Sequence, residues 1–166
     1  MPSAYFKTEG LVIKKMPFGE ADFLVRVLTK DFGKMDVLAK GARKTASKLN
    51  LHLDILNHIR LQFVKNGERL PTLMDAEIIA RYDDWFSDVD KLSIMGRILQ
   101  VIDMVILPGA KDEKLFFLAL DFFGTAKNEA EAINFLRSFF EHEGYGGTLP
   151  EEHEEKIIKL WPQLKN

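Results

Sequence analysis

Apolar residues recur at every second position through the first half of the chain and at every third or fourth position through the second half. The two spacings correspond to the two-residue period of a strand and the 3.6-residue period of a helix. The first apolar stretch, 5–16, centres on Leu11, Val12 and Ile13 and leaves through Lys14 and Lys15. Met16-Pro17-Phe18-Gly19-Glu20 reads as a turn, because Pro presets φ and Gly tolerates a positive one. A second strand follows at Ala21–Thr29, a Gly-containing loop at Lys30–Lys34, and a third strand at Met35–Ala39. A fourth is clearest at Ile59–Val64, where Leu61 and Phe63 alternate with polar neighbours. Asn66-Gly67 is a strong hairpin signal, and Leu70–Ala80 completes the set, with Pro71 near its start. Five short strands separated by turn residues predict a small closed or nearly closed barrel.

The period changes after Arg81. Tyr82–Ser87 reads as a boundary, with Tyr82 and Trp85 as mortar between two parts, and Asp88 is placed to cap a helix. Leu92, Met95, Ile98, Leu99, Ile102, Val105 and Ile106 form one amphipathic stripe that Pro108-Gly109 ends. A second helix spans Asp112–Phe123. A third begins near Asn128 and carries Ile133, Leu136, Phe139 and Phe140. Gly144-Tyr145-Gly146-Gly147 stops it, and Pro150 with Glu151 and Glu152 starts a last helix that fades near Trp161-Pro162. The phenylalanines of these helices stand at core spacing. The reading is an α+β chain, with a five-stranded barrel over 1–82 and an α-helical domain over 83–166.

Charge sharpens the division. The net charge of −2 is unremarkable, but residues 1–82 hold 14 Lys and Arg against 9 Asp and Glu, net +5, whereas 83–166 hold 9 against 16, net −7. A polyanion is therefore directed to the first part. Its densest cationic stretch is Lys40-Gly41-Ala42-Arg43-Lys44, followed by Lys48. Four cations leave a strand end with only short side chains between them, which suits phosphate. The chain has no cysteine, so disulfides, thiolate metal sites and cysteine nucleophiles are excluded. No apolar run approaches the roughly 18 residues of a membrane span, and the first residues lack a signal-peptide core. The expected setting is the cytoplasm. His52, His58, His142 and His153 share no metal-ligand spacing, with His142 and His153 beside Glu141 and Glu143 only a weak combination. Asp83-Asp84 reads as an exposed linker, and no nucleophile or nucleotide-loop motif occurs, so no catalytic residue is assigned.

The motif order then points to a family. Gly19-Glu20-Ala21-Asp22, Thr29 with Phe32-Gly33-Lys34, Ala39-Lys40-Gly41-Ala42-Arg43 with Ser47, and Leu70-Pro71-Thr72-Leu73 with Glu77 resemble the bacterial recombination and repair protein family RecO. The resemblance covers about 8–80 closely and extends loosely into the first helices. It implies an N-terminal OB-fold followed by an α-helical domain. It also implies binding to single- and double-stranded DNA, strand annealing, and work with RecR and single-stranded-DNA-binding protein to load RecA recombinase. Many relatives carry a four-cysteine zinc site after the third helix; here Gly144–Gly147 leads to Pro150 without a cysteine. The resemblance is thus to a short form, with no metal or cofactor expected, ending where the family's second helical portion continues.

An OB barrel holds a single strand by a cationic groove and by stacking bases on aromatic rings. Lys34, Lys40, Arg43, Lys44 and Lys48 are the first phosphate contacts expected, with Lys14, Lys15 and Arg26 extending the track. Arg60, Lys65 and Arg69 flank the Asn66-Gly67 hairpin, and Arg137 and Lys127 are the cations nearest the aromatic surface of the helices for holding an acidic peptide tail. Phe18 and Phe32, at turns, are the candidates for base stacking. Two other readings of the same residues stand beside this one. One is an OB-type RNA-binding or ribosome-associated module; the other is an adaptor whose basic loop meets an acidic partner.

Overall fold

A computed structural model describes residues 2–165. Its contacts divide the chain into two compact units. One takes Met1–Arg81 together with Pro108–Phe116; the other takes Tyr82–Leu107 and Phe117–Asn166.

The first unit is a closed five-stranded barrel of β1 (Ala4–Phe18), β2 (Asp22–Thr29), β3 (Gly33–Ala39), β4 (His58–Lys65) and β5 (Thr72–Ala80). The strand order around the barrel is β1-β2-β3-β5-β4, with β4 returning to β1, which is the OB-fold. β1 closes it by pairing twice. Its first half runs antiparallel to β4 (Phe6 opposite Phe63) and its second half runs antiparallel to β2 (Lys15 opposite Val25). A register shift between Val12 and Lys14 lets one strand serve both partners, as a bulge bends a strand and adds twist. Gly10 lies where the two pairings overlap; a Cβ there would stand 2.2 Å from Val27 Cγ1, so the crossing leaves no room for a side chain. The alternation expected from the sequence fills the interior with Val12, Val25, Val27, Val37, Ile59, Leu61, Phe63 and Leu73. At the β3–β5 seam the pairing is parallel, and its register is given by Leu38 opposite Thr72.

Three of the expected boundaries move by two residues, and one of them is the start of β5, at Thr72 and not Leu70. β1 continues through Pro17 and Phe18, which pair with Phe23 and Asp22, so the turn shrinks to Gly19–Ala21. A proline is tolerated there because this is the end of the ladder. β3 begins at Gly33, not Met35, because Thr29 ties the preceding turn. Its Oγ1 accepts from Phe32 N–H at 2.9 Å and donates to Gly33 O at 2.7 Å.

The second unit contains most of the helical part. The helices are α1 (Val89–Val105), α2 (Glu113–Thr125), α3 (Glu129–His142) and α4 (Glu154–Leu160). Asp88 caps α1 by accepting from Lys91 N–H at 2.8 Å, and Asn128 caps α3 by accepting from Glu131 N–H at 2.9 Å. Pro150 does not open the last helix directly. A 3-10 turn at Glu151–His153 comes first and α4 starts at Glu154. Trp85 serves this unit's interior: its Nε1–H donates to Phe123 O at 2.8 Å and its ring tilts on Phe122 at 5.4 Å. Phe122, Phe135 and Phe139 continue the aromatic stack, whereas Leu92 and Phe117 are exposed. Among the described residues no helix is long and apolar enough to cross a membrane.

Candidate nucleic-acid interface

The basic loop is latched to the turn between β1 and β2. Gly41 takes φ +68°, which a glycine adopts without steric cost, and its N–H donates to Asp22 Oδ1 at 2.7 Å. Arg43 adds a backbone bond from its N–H to Ala21 O (2.9 Å) and a side-chain bond from Nη1 to Gly19 O (2.8 Å). Ala42, between them, is fully buried in the barrel core. Successive turns follow, with Lys44 N–H on Gly41 O and Ser47 N–H on Lys44 O, both at 3.0 Å. The motif residues Gly19, Asp22, Gly41, Ala42 and Arg43 are thus one piece of turn chemistry. Its product is a loop fixed to a rigid barrel end, with Lys40, Arg43, Lys44 and Lys48 exposed on it. Among the described residues none of the four forms an ion pair with a carboxylate. Phe18, 46% exposed, closes the end of β1 next to this turn.

The remaining sequence candidates separate by strand parity. Lys14 lies opposite Arg26, and Arg26 opposite Asp36, so these three share the outer face of the sheet. Lys14 is exposed. Arg26 is held by Asp36 in a two-pronged bond, Nε to Oδ1 at 2.8 Å and Nη2 to Oδ2 at 3.1 Å, and is three-quarters buried. Lys15 pairs with Val25 and so faces the other way. It donates to Asn50 Oδ1 at 2.7 Å, lies 3.6 Å from Asp54 and sits 4.4 Å over the Phe23 ring. The structure therefore does not bring Lys15 to the Lys14–Arg26 face. Lys34 belongs to β3 and not to the loop before it, and only 7% of it is exposed.

Phe32 sits at a different place from Phe18. It meets Phe6 and Phe63 edge-on, each at 5.4 Å, and these two rings stack on one another at the same distance. The three line a cleft of about 710 Å³, larger than the three clefts of about 330 to 480 Å³ in the helical unit. Lys65 and Arg69, beside the Asn66-Gly67 hairpin, also line it, as does Lys111, which the sequence pattern gave no reason to single out.

At its other end β4 opens with His58, which burial pushes below its ordinary pKa; Glu9 at 3.8 Å opposes the shift and Arg60 adds to it. The imidazole rests edge-on against Phe116 at 5.7 Å. Among the described residues it belongs to no cluster of three metal-ligating groups and reads as structural.

Comparisons with known proteins agree with the barrel. Residues 1–82 match the family described as Recombination protein O N terminal. The chain is 29% identical over 136 residues to the DNA repair protein RecO of Acetivibrio thermocellus, covering 81% of this chain and 54% of that protein. It is 31% identical over 140 residues to the one from Clostridium acetobutylicum (83% and 56%), and 28% over 145 residues to the one from a Roseiflexus species (86% and 50%). The chain spans about half the length of the curated relatives it matches.

Proposed function

Through residues 1–82 the chain belongs to the RecO family, and from that premise we propose that it is a non-catalytic DNA-binding mediator of recombinational repair. The barrel domain, 1–82, grips the phosphates of single- and double-stranded DNA. The helical domain, 83–166, offers a surface to RecR and to single-stranded-DNA-binding protein, so that RecA is loaded where that protein covers the strand. Annealing follows from the same chemistry, because clustered cations screen the repulsion between two complementary strands. The setting is the cytoplasm, in association with the nucleoid.

The observation that carries this reading is the latched loop: four exposed cations, free of carboxylate partners among the described residues, on a backbone fixed by Asp22 and Arg43. Phosphate binding to such a loop costs little ordering entropy, since the bonds to Asp22 Oδ1, Ala21 O and Gly19 O are already made. The loop's cations are assigned to phosphate, so little sequence preference is expected.

The test is fluorescence anisotropy of a labelled single strand across a salt series, with a matched RNA alongside. K40A/K44A/K48A removes three cations and leaves the Arg43 latch. Three lost phosphate contacts lower the log–log salt slope by about 2, at roughly 0.7 per contact on a single strand. An unchanged slope in a folded triple variant would remove the loop as the site, and a clear preference for RNA would replace DNA as the substrate.

A further inference from the structure

We propose that the open side of the barrel between β3 and β5 seats one unstacked nucleobase of a single strand, with the adjoining phosphates held by Lys65, Arg69 and Lys111. The inference rests on the nucleic-acid reading above and names a second contact, distinct from the basic loop.

Strands β3 and β5 part almost as soon as they meet. At one end Leu38 N–H donates to Pro71 O at 2.8 Å, and at the other Lys34 O accepts from Gly109 N–H at 2.9 Å. Both bonds lie on the side of β3 that faces away from β2. By the alternation of an antiparallel strand, the N–H and C=O of Asp36 face that same side. Among the described residues no strand partner stands opposite them there. The opening thus presents one donor and one acceptor side by side. Each of the four bases carries a donor next to an acceptor on its Watson–Crick edge, so all four can satisfy the pair.

Behind this polar edge lies the trio Phe6, Phe32 and Phe63, half-buried at the rim and buried at Phe63, in a cleft of about 710 Å³. A flat, apolar ring face is what such a floor takes best. The charge of the rim selects further. Asp36 is neutralised by Arg26, and Asp31 keeps its charge while accepting from Thr8 Oγ1 of β1 at 2.6 Å. Lys65, Arg69 and Lys111 have no ion-pair partner among the described residues, and Glu68 is the remaining carboxylate of the lining. The ligand that fits is flat in the middle and anionic at its ends. An extended peptide fits less well, because strand addition relies on a run of backbone bonds and the free edge here is one residue long.

The experiment compares a short thymidine oligonucleotide with an abasic strand of the same length and phosphate count, on the full chain. Wild type is expected to favour the thymidine strand by on the order of tenfold, the value of one base stacked on an aromatic ring. Phe32→Leu keeps apolar packing but loses the ring face, and should bring the ratio close to one. K65A/R69A/K111A, on the surface, should weaken both strands and leave the ratio standing. K40A/K44A/K48A should do the same, which separates this seat from the basic loop. Thymidine, and not the abasic strand, should shift the NMR signal of the Asp36 amide. A wild-type ratio near one with both strands bound, or a ratio kept in Phe32→Leu, overturns the seat alone; absence of binding to either strand overturns the nucleic-acid reading as well. An alternating Glu-Phe peptide that shifts the Asp36 amide where thymidine does not would give the cleft to a protein partner and overturn the seat.

Discussion

Gly33→Ala should destabilise the barrel several times more than Gly19→Ala, although both glycines have positive φ. Gly19 adopts +61° with nothing among the described residues within 4 Å of where a Cβ would stand. Its replacement costs only the left-handed conformation, about 1 kcal/mol. Gly33 adopts +68°, and its Cβ would lie 2.4 Å from Ala110 O, 2.6 Å from Ala110 C and 2.8 Å from Ala110 N. Those are backbone atoms, and no rotamer relieves the contact. Either the 108–111 segment moves off β3, losing the 2.9 Å bond from Gly109 N–H to Lys34 O, or the turn after Thr29 opens. A lost backbone bond adds about 1 kcal/mol, and residual overpacking adds about 1 more, so Gly33→Ala totals roughly 2–4 kcal/mol. The measurement is native-state hydrogen exchange at the Val25, Val27 and Val37 amides. Both tryptophans, Trp85 and Trp161, lie in the helical unit, so their fluorescence would follow the wrong part of the chain. Equal losses for the two variants would refute the close approach of Ala110 to β3.

Other expectations follow from single contacts. Burial lowers the His58 pKa below its ordinary 6.5, so the folded barrel binds fewer protons than the unfolded chain. Its contribution is complete above about pH 6.5 and is lost as pH falls through the folded pKa; acid titration of stability should flatten over that window in His58→Phe, and an identical profile would refute it. Thr29→Val keeps the shape of a fully buried side chain but leaves Phe32 N–H and Gly33 O without their hydroxyl, costing about 1–3 kcal/mol in urea unfolding, with Thr29→Ser retaining more of the stability. Arg97→Lys preserves charge but loses the guanidinium plane, 4.0 Å over the Trp161 ring and bonded to Leu160 O at 3.0 Å; a loss of about 1–2 kcal/mol should register in Trp fluorescence. Asp88→Ala and Asn128→Ala should each lower helical-unit stability by about 1 kcal/mol, and should add, because they cap different helices.

Local patterns in the sequence determined the five strands, the change from strand to helix period after Arg81, and the caps at Asp88 and Asn128. Each depends on residues within a few positions of one another: side-chain alternation, an Asn-Gly turn, a carboxylate or carboxamide oxygen three residues before a helix-end N–H. The motif residues were legible as a group, and one of their roles is local as well, since Thr29 with Gly33 makes a turn. What local reading misplaced was Lys34, taken for a loop cation. The Thr29 hydroxyl ties the turn tightly enough to start β3 at Gly33, and the lysine then falls within a strand with 7% exposure.

Tertiary structure decided which cations are available. Lys14 and Lys15 are neighbours in sequence and equal in charge, yet a register shift between Val12 and Lys14 and the opposite facing of successive strand residues put one in solvent and the other against Asn50 and Asp54. Arg26 is engaged because Asp36 lies opposite it on the next strand. The latch between Asp22 and Gly41 spans 19 residues, and Lys111 meets Lys65 and Arg69 around one cleft from more than 40 residues away. Pairings of that range depend on how the barrel closes, because sequence periodicity sets which face a side chain takes but not what lies opposite it.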